Sequence, residues 1–149
     1  METIHGTVVD VAGKGVLLVG PSGAGKSDLA LRLMDRGAVL VADDQVVLEK
    51  RDKGVRASAP EILYGLMEVR GIGIVSLPAI KSANLELVVD LVASDDLERV
   101  PLPTEAQLAG EKIPKLKLHA FEVSAPHKIE LALTYPEQIG LGVDDHKKD

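Results

Sequence analysis

The stretch VLLVGPSGAGKS, Val16–Ser27, joins an aliphatic run to a phosphate-binding pattern. Val16–Val19 has the composition of a buried strand, and the residues that follow Ser27 favour a helix. The last eight residues of the stretch satisfy the pattern Gly-x4-Gly-Lys-Ser. A strand, a glycine-rich turn and a helix in this order predict a loop that binds the phosphates of a nucleotide.

Each residue type in the loop has a chemical reason. Glycines reach backbone torsions that other residues avoid, so successive N–H groups can point at phosphate oxygens. Lys26 can bridge the outer phosphates, and the Ser27 hydroxyl can bind magnesium. We therefore expect a nucleoside triphosphate to be held by Gly20, Pro21, Ser22, Gly23, Ala24, Gly25, Lys26 and Ser27.

The loop does not identify the acceptor of the phosphoryl group. Water, a small metabolite and a protein hydroxyl all remain open. A GTPase would carry an Asn-Lys-x-Asp motif that reads the base, and the sequence contains none.

Composition excludes other classes of protein. A chain of 149 residues fits a single domain over 1–149, and its formal net charge of -6 argues against nucleic acid as a partner. Three lysines at Lys112, Lys115 and Lys117 form either a local basic patch or a solvated strand face. The longest apolar runs of the sequence are far shorter than the roughly 20 residues that a membrane-spanning helix needs. The N-terminus does not resemble a secretory signal, so we expect a cytoplasmic protein.

Strand patterns outnumber helical ones, which predicts an α/β fold rich in strands. The helix is predicted over Ser27–Arg36 with Gly37 as its C-terminal cap. The predicted strands are a hairpin of 3–11 with 16–19, then 38–42, 45–50, 55–58, 72–77, 85–92, 115–121 and 128–133, with 60–69 ambiguous and 140–149 a frayed tail.

Two neighbouring carboxylates follow the strand after the helix. Asp43 and Asp44 stand 17 and 18 residues beyond Lys26, where a strand end can face the phosphates. One could bind magnesium while the other accepts the proton of an attacking hydroxyl; a solvated acidic turn is the alternative. Asp90 is a competing magnesium candidate that we interpret as a strand residue on an open face.

The segment EVRGIGI, 68–74, is the other unusual stretch. Glu68 and Arg70 lie on one side if the segment is extended. Arg70 could stabilise charge on a transferring phosphoryl group and Glu68 could serve a metal. A structural Glu–Arg pair explains the local sequence equally well.

These motifs together resemble the C-terminal catalytic domain of HPr kinase/phosphorylase. The resemblance rests on His5-Gly6, GPSGAGKS, the Asp35-Arg36-Gly37 and Asp43-Asp44 elements, and Glu-x-Arg-Gly-x-Gly-Ile, and it is strong over residues 4–77. It implies a fold related to phosphoenolpyruvate carboxykinase. It also implies transfer from ATP to a serine of HPr, a phosphocarrier of the sugar phosphotransferase system, and the reverse phosphorolysis.

The resemblance also assigns roles to residues. Asp43 becomes the base of the kinase reaction and the acid of the reverse reaction, while Ser27 and Glu68 hold magnesium. Asp44, His5 and Arg70 become supporting residues of the catalytic site. A homo-oligomer, a nucleotide sensor that transfers little phosphate, and a small-molecule kinase stay open.

The sequence departs from the family pattern in three places. Larger members have an additional N-terminal domain, whereas this sequence begins directly before His5, so the resemblance leads us to expect the short form found among alphaproteobacterial members. Ser76–Ala79 stands where many members have a Phe-Gly pair. Residues 120–149 are expected to lack the helices with which the family grips HPr.

Overall fold

Strands dominate the part of the chain that the structure describes, residues 1–140. Within that range this computed structural model contains eleven strands and two α-helices. The strands are β1 (Glu2–His5), β2 (Thr7–Val11), β3 (Lys14–Val19), β4 (Val39–Ala42), β5 (Gln45–Lys50), β6 (Val55–Ser58), β7 (Leu66–Val69), β8 (Gly73–Ser76), β9 (Ser82–Leu91), β10 (Thr104–Leu108) and β11 (Glu111–Leu118). The helices are α1 (Lys26–Asp35) and α2 (Ala125–Thr134).

The larger sheet carries the phosphate loop near its middle. Its strand order is β1-β5-β6-β9-β3-β2-β4, and β11 joins it through β9, with β10 beyond. Strands β3, β9 and β11 are parallel, and β4 runs the same way as β3 because both pair antiparallel with β2. The carboxyl ends of these four strands therefore meet at one edge, which is where ligands bind in open α/β sheets.

Both faces of this sheet are buried. Neighbouring residues of one strand point to opposite faces, so Val9 and Val89 pack into the cluster that contains the helices, whereas Val8 and Val88 pack into the other cluster. A strand buried on both faces reads as an unbroken aliphatic run, which explains the sequence of β3. The predicted hairpin is confirmed for β2 and β3, while β1 pairs with β5 instead.

Helix α1 confirms the predicted helix and its cap. Leu29, Ala30 and Leu33 are buried against the sheet. After the helix, Gly37 takes a left-handed φ of 106° and donates its N–H to the Met34 carbonyl at 3.0 Å. This paired cap closes the helix where the glycine was predicted to stop it.

The strand predicted over 128–133 is wrong, because these residues belong to helix α2. Ile129 and Leu133 are buried four residues apart, whereas Leu131 between them is exposed. The apolar residues at 129, 131 and 133 fit the two-residue period of a strand, but only 129 and 133 are buried, which is the spacing of a helix. The expectation that no helix follows residue 120 is therefore wrong as well.

An ion pair joins the two helices. The Arg36 guanidinium donates to both carboxylate oxygens of Glu130 at 2.6 and 2.9 Å. Through this hydrogen bond Arg36 lowers the pKa of Glu130 from its ordinary value, and Glu130 raises the pKa of Arg36. The pair links α2 to the C-terminal end of α1.

The ambiguous segment after Pro60 forms a short 3-10 turn and then the hairpin of β7 and β8. Met67 is its buried residue and packs into the core that contains α1. The three lysines lie on β11, with Lys112 and Lys117 exposed. That strand ends at Leu118, so Phe121 is not part of it, and the predicted frayed tail falls almost entirely outside the described residues. Within residues 1–140 no helix is long and apolar enough to span a membrane.

Candidate functional site

The phosphate loop occupies the turn between β3 and α1. Gly25 has a φ of 97° and precedes the first helical residue, Lys26. A Cβ at Gly25 would lie 2.8 Å from the Cβ of Ala120 and 2.9 Å from Cζ of Phe121. Both its torsion and its neighbours therefore require glycine at this position.

Lys26 is a buried cation at the base of the loop, 8% exposed. Its Nζ donates to the carbonyl oxygens of Gly20 at 2.6 Å and Pro21 at 3.1 Å. Both partners are uncharged, so the positive charge of Lys26 faces the cleft without a carboxylate bound to it. A buried ammonium held in this way suits an anionic ligand.

Asp43 is the centre of the polar contacts in the site. It follows β4, is 6% exposed, and its Oδ1 accepts hydrogen bonds at 2.9 Å from the hydroxyls of both Thr7 and Ser27. Its Oδ2 accepts a hydrogen bond at 3.1 Å from the backbone N–H of Glu68. The carboxylate thus ties the phosphate loop to β2 and to the β7–β8 hairpin. Its Oδ2, with one donor, keeps more acceptor capacity than Oδ1.

Asp44 forms a tight turn directly after Asp43. It has a left-handed φ of 76°, an uncommon conformation for a residue other than glycine. The Gln45 N–H donates across it to the Asp43 carbonyl at 3.0 Å. Its exposed carboxylate lies 3.3 Å from Nδ1 of His5. This contact places the two exposed side chains together at the mouth of the cleft.

Glu68 and Arg70 reach the site from the β7–β8 hairpin. The Glu68 backbone contacts Asp43 directly, while its side chain is exposed. Arg70 lies in the turn of the hairpin, which the Ile72 N–H closes on the Val69 carbonyl at 2.9 Å. The hairpin therefore carries one acidic and one basic side chain to the same opening.

A cleft of about 610 Å³ collects these groups. Its lining includes every predicted catalytic and metal-binding residue, namely His5, Asp43, Asp44, Arg70, Ser27 and Glu68, together with Ser22, Gly23, Gly25 and Lys26 of the loop. Gly20, Pro21 and Ala24 of the loop are not lining residues. Asp90, the rival candidate, pairs with Val19 inside the sheet and is not a lining residue.

Four lining residues lie outside the motifs that the sequence singles out: Thr7, Asp28, Leu31 and Phe121. Asp28 and Leu31 belong to helix α1, directly after the loop. Thr7 is a buried strand residue whose link to Asp43 spans 36 positions in the chain. Phe121 reaches the cleft from the turn after β11. Thr7 carried no local motif, and Phe121 was assigned to a strand that ends three residues earlier, so only the fold shows that both border the cleft.

Fold and site together define an α/β protein built on a phosphate loop, with an acidic residue from a neighbouring strand end beside the loop. The sequence model of the HPr Serine kinase C-terminal domain matches residues 1–130. The chain belongs to this family. The match continues well past residue 77, where the motifs that suggested the family end.

Named relatives agree with this assignment. The HPr kinase/phosphorylase of Bordetella pertussis is 43% identical over 128 residues, covering 78% of this chain and 42% of the relative. The HPr kinase/phosphorylase of Prosthecochloris aestuarii is 40% identical over 129 residues, covering 78% of this chain and 38% of the relative. The chain thus spans about two fifths of the length of these relatives.

A solved structure has the same fold over almost its whole length. The Hpr(Ser) kinase/phosphatase from Coxiella burnetii superposes with a TM-score of 0.82 and 25% identity, covering 99% of this chain and 98% of that one. The predicted fold class, a strand-rich α/β domain with a phosphate loop of the phosphoenolpyruvate carboxykinase-like kind, is confirmed.

Proposed function

We propose that this domain is an ATP- and magnesium-dependent serine kinase that phosphorylates an HPr-type phosphocarrier protein. The observation that carries the proposal is the position of Asp43. One carboxylate oxygen accepts a hydrogen bond from the Ser27 hydroxyl, and the other accepts one from the backbone N–H of Glu68. The carboxylate therefore lies beside the phosphate-binding loop. Membership of the HPr serine kinase family supports a serine as the acceptor.

The donor set fits ATP with magnesium. Among residues 1–140 no three His, Cys, Asp or Glu side chains are grouped as a protein metal cage. Magnesium at phosphoryl-transfer sites needs no such cage, because phosphate oxygens supply part of its shell. The Ser27 oxygen and the Glu68 carboxylate would hold the ion. When bound, magnesium neutralises charge on the phosphates and polarises the group that is transferred.

Asp43 would act as the general base. The serine hydroxyl of the carrier gives its proton to the less occupied Oδ2 of Asp43 while its oxygen bonds to the γ-phosphorus. The bond from that phosphorus to the β–γ bridging oxygen breaks, and ADP leaves. Lys26 would hold the phosphates in line during the transfer.

Three further residues would support the reaction. Arg70, on the hairpin turn, is placed to stabilise negative charge on the transferring phosphoryl group. Asp44 and His5 flank Asp43 at the cleft mouth, where a protein substrate must enter. In the reverse, phosphorolytic direction, inorganic phosphate would attack the phosphorus of phosphoserine and form pyrophosphate. The bond from that phosphorus to the serine oxygen would break, and the protonated Asp43 would give its proton to that oxygen. We place this activity in the cytoplasm, where ATP and the carrier would meet.

Transfer of label from ATP tests the proposal. The protein is incubated with γ-labelled ATP, magnesium and the purified HPr-type protein of the same organism, and the phosphorylated residue is mapped. We expect label on one serine, no label with Lys26→Ala, and unchanged labelling with the control Asp95→Asn, an exposed carboxylate outside the cleft lining. ATP binding without transfer to any carrier would contradict the kinase and indicate a nucleotide sensor.

A further inference from the structure

Phe121 is the one phenylalanine of the chain, and it lies on the rim of the cleft with 57% of its surface exposed. A large aromatic ring left this open contributes little to the core. The reaction proposed above assigns it no role. Its surroundings, however, hold it firmly in place.

The backbone that carries Phe121 is fastened to α1. The Arg32 guanidinium donates to the carbonyl oxygens of Ala120 and Glu122, the latter at 3.1 Å. The ring of His119 meets the Phe121 ring edge to face, with 5.7 Å between centroids, and its own Nδ1 lies 3.0 Å from a carbonyl just past the end of β9. The aromatic ring is thus exposed on a fixed support, which lowers the entropy lost when a ligand binds to it.

The ring also stands directly against the phosphate loop. Cζ of Phe121 lies 2.9 Å from the point that a Cβ of Gly25 would occupy. In the sheet, β11 is on one side of β3 with β9 between them, and β4 is on the other side with β2 between them. Phe121 after β11 and Asp43 after β4 therefore flank the loop from opposite sides.

We propose that Phe121 is the stacking platform for the nucleobase of the bound nucleotide. A triphosphate that crosses the loop with its γ-phosphate beside Asp43 has its nucleoside end directed to the β11 side, where the ring lies. This inference rests on the proposed function, because it requires that the loop binds a nucleoside triphosphate. Aromatic rings stack on every base, so the platform contributes affinity for the nucleoside but little selectivity among bases.

Binding of two probes tests the platform. ATP and inorganic tripolyphosphate share the phosphate chain, but only ATP has a base. We expect Phe121→Ala to weaken magnesium-dependent ATP binding about 5- to 150-fold and to leave tripolyphosphate binding unchanged. Phe121→Tyr keeps a stacking face and should bind ATP as the wild type does. Val123→Ala, at a 95% exposed position of the same segment, is the matched control and should bind both probes normally.

A tryptophan variant gives a direct optical readout. The chain contains no tryptophan, so Phe121→Trp introduces a single tryptophan at the proposed platform, and its emission can be excited apart from that of the two tyrosines. ATP should change its emission, and tripolyphosphate should leave it unchanged.

Arg32 would be a positioning residue for the platform. Arg32→Met removes the donors to the two carbonyls and should weaken ATP binding but not tripolyphosphate binding. In a Phe121→Ala background the same change should cause no further loss of ATP affinity. A purely structural role for Arg32 would weaken both probes in both backgrounds.

The outcomes separate this inference from the proposed function. If the wild type binds both probes and Phe121→Ala leaves ATP affinity unchanged, the platform is overturned and the kinase proposal stands. Equal weakening of both probes would also overturn it, because the ring would then support the loop and not the base. If the wild type binds neither probe, the proposed function fails and this inference fails with it.

Discussion

Asp43 can act as a base only if its carboxylate keeps one orientation. Thr7 contributes to that orientation from β2, a strand that is not adjacent to the phosphate loop in the sequence. Its hydroxyl is buried, with 1% of the residue exposed, and donates to the same oxygen that Ser27 contacts. Buried donors to a carboxylate are worth more than donors to neutral groups, because the charge has left water.

We therefore expect Thr7→Val to weaken both stability and phosphoryl transfer. The shape is kept and one hydrogen bond to a carboxylate is lost, which should lower the free energy of unfolding by about 1.5–3 kcal/mol. Urea denaturation measures this change. Thr7→Ser keeps the hydroxyl and should retain most of the stability. A Thr7→Val variant as stable and active as the wild type would show that this bond does not orient Asp43.

At the residue scale, the sequence supports a prediction where the signal is local. The loop residues are contiguous, and Asp43 with Asp44 ends an aliphatic strand, so their chemistry can be proposed from spacing. Thr7 has no such signal, because its role depends on the pairing of β2 with β4.

The packing of α2 on α1 depends in part on the ion pair of Arg36 with Glu130. Both side chains are partly exposed, so salt and pH should modulate the strength of the pair. The pKa of Glu130 is lowered in the folded protein by the hydrogen bond from Arg36. The pair therefore stabilises the fold above the ordinary pKa of the carboxyl, 4.5, and this contribution is lost as pH falls through the lowered pKa.

Accordingly, Glu130→Gln should be less stable than the wild type at pH 7, and the difference should vanish in strongly acidic solution. Chemical denaturation across a pH series measures it. Glu137→Gln, at an exposed position, is the control and should follow the wild type at each pH. A difference between Glu130→Gln and wild type that does not change with pH would contradict the assigned ion pair.

Helix α2 shows where the spacing of apolar residues fails to predict the type of a secondary-structure element. The alternation of Ile129, Leu131 and Leu133 favours a strand, and only packing on α1 shows that Leu131 faces outwards. Helix α1, by contrast, is bounded by the phosphate loop and by Gly37, two signals that act over a few residues. Local stop signals can be recognised in a sequence, whereas burial by a distant helix cannot.

At the scale of the whole molecule, ligand binding should stabilise the fold, because the cleft joins β2, β4, α1 and the β7–β8 hairpin. Magnesium–ATP at about 100 times its dissociation constant should add about 2.7 kcal/mol. For a chain of this size the melting temperature should then rise by about 5–10 °C. Thermal unfolding with and without the ligand measures the shift.

Lys26→Ala should abolish this shift, and Lys53→Ala, an exposed lysine in the β5–β6 turn, should preserve it. An undiminished shift in Lys26→Ala would mean that ATP binds elsewhere.

The sheet order lies beyond what the sequence could predict. Strand β9 pairs with β3, β6 and β11, segments that lie before and after it at long distances in the chain. Such pairings are fixed by the packing of both faces, not by any local pattern. The excess of strands could be predicted, but the placement of Asp43 and Phe121 on opposite sides of the loop could not.

The most direct test of the central claim compares catalysis with binding in Asp43→Asn. The rate of phosphoserine formation on the HPr-type carrier and the affinity for magnesium–ATP are measured on the same preparations. If Asp43 is the general base, Asp43→Asn should lower the rate of phosphoserine formation about 10²- to 10⁴-fold and leave the affinity for magnesium–ATP nearly unchanged. An Asp43→Asn protein that phosphorylates the carrier at the wild-type rate would contradict the account.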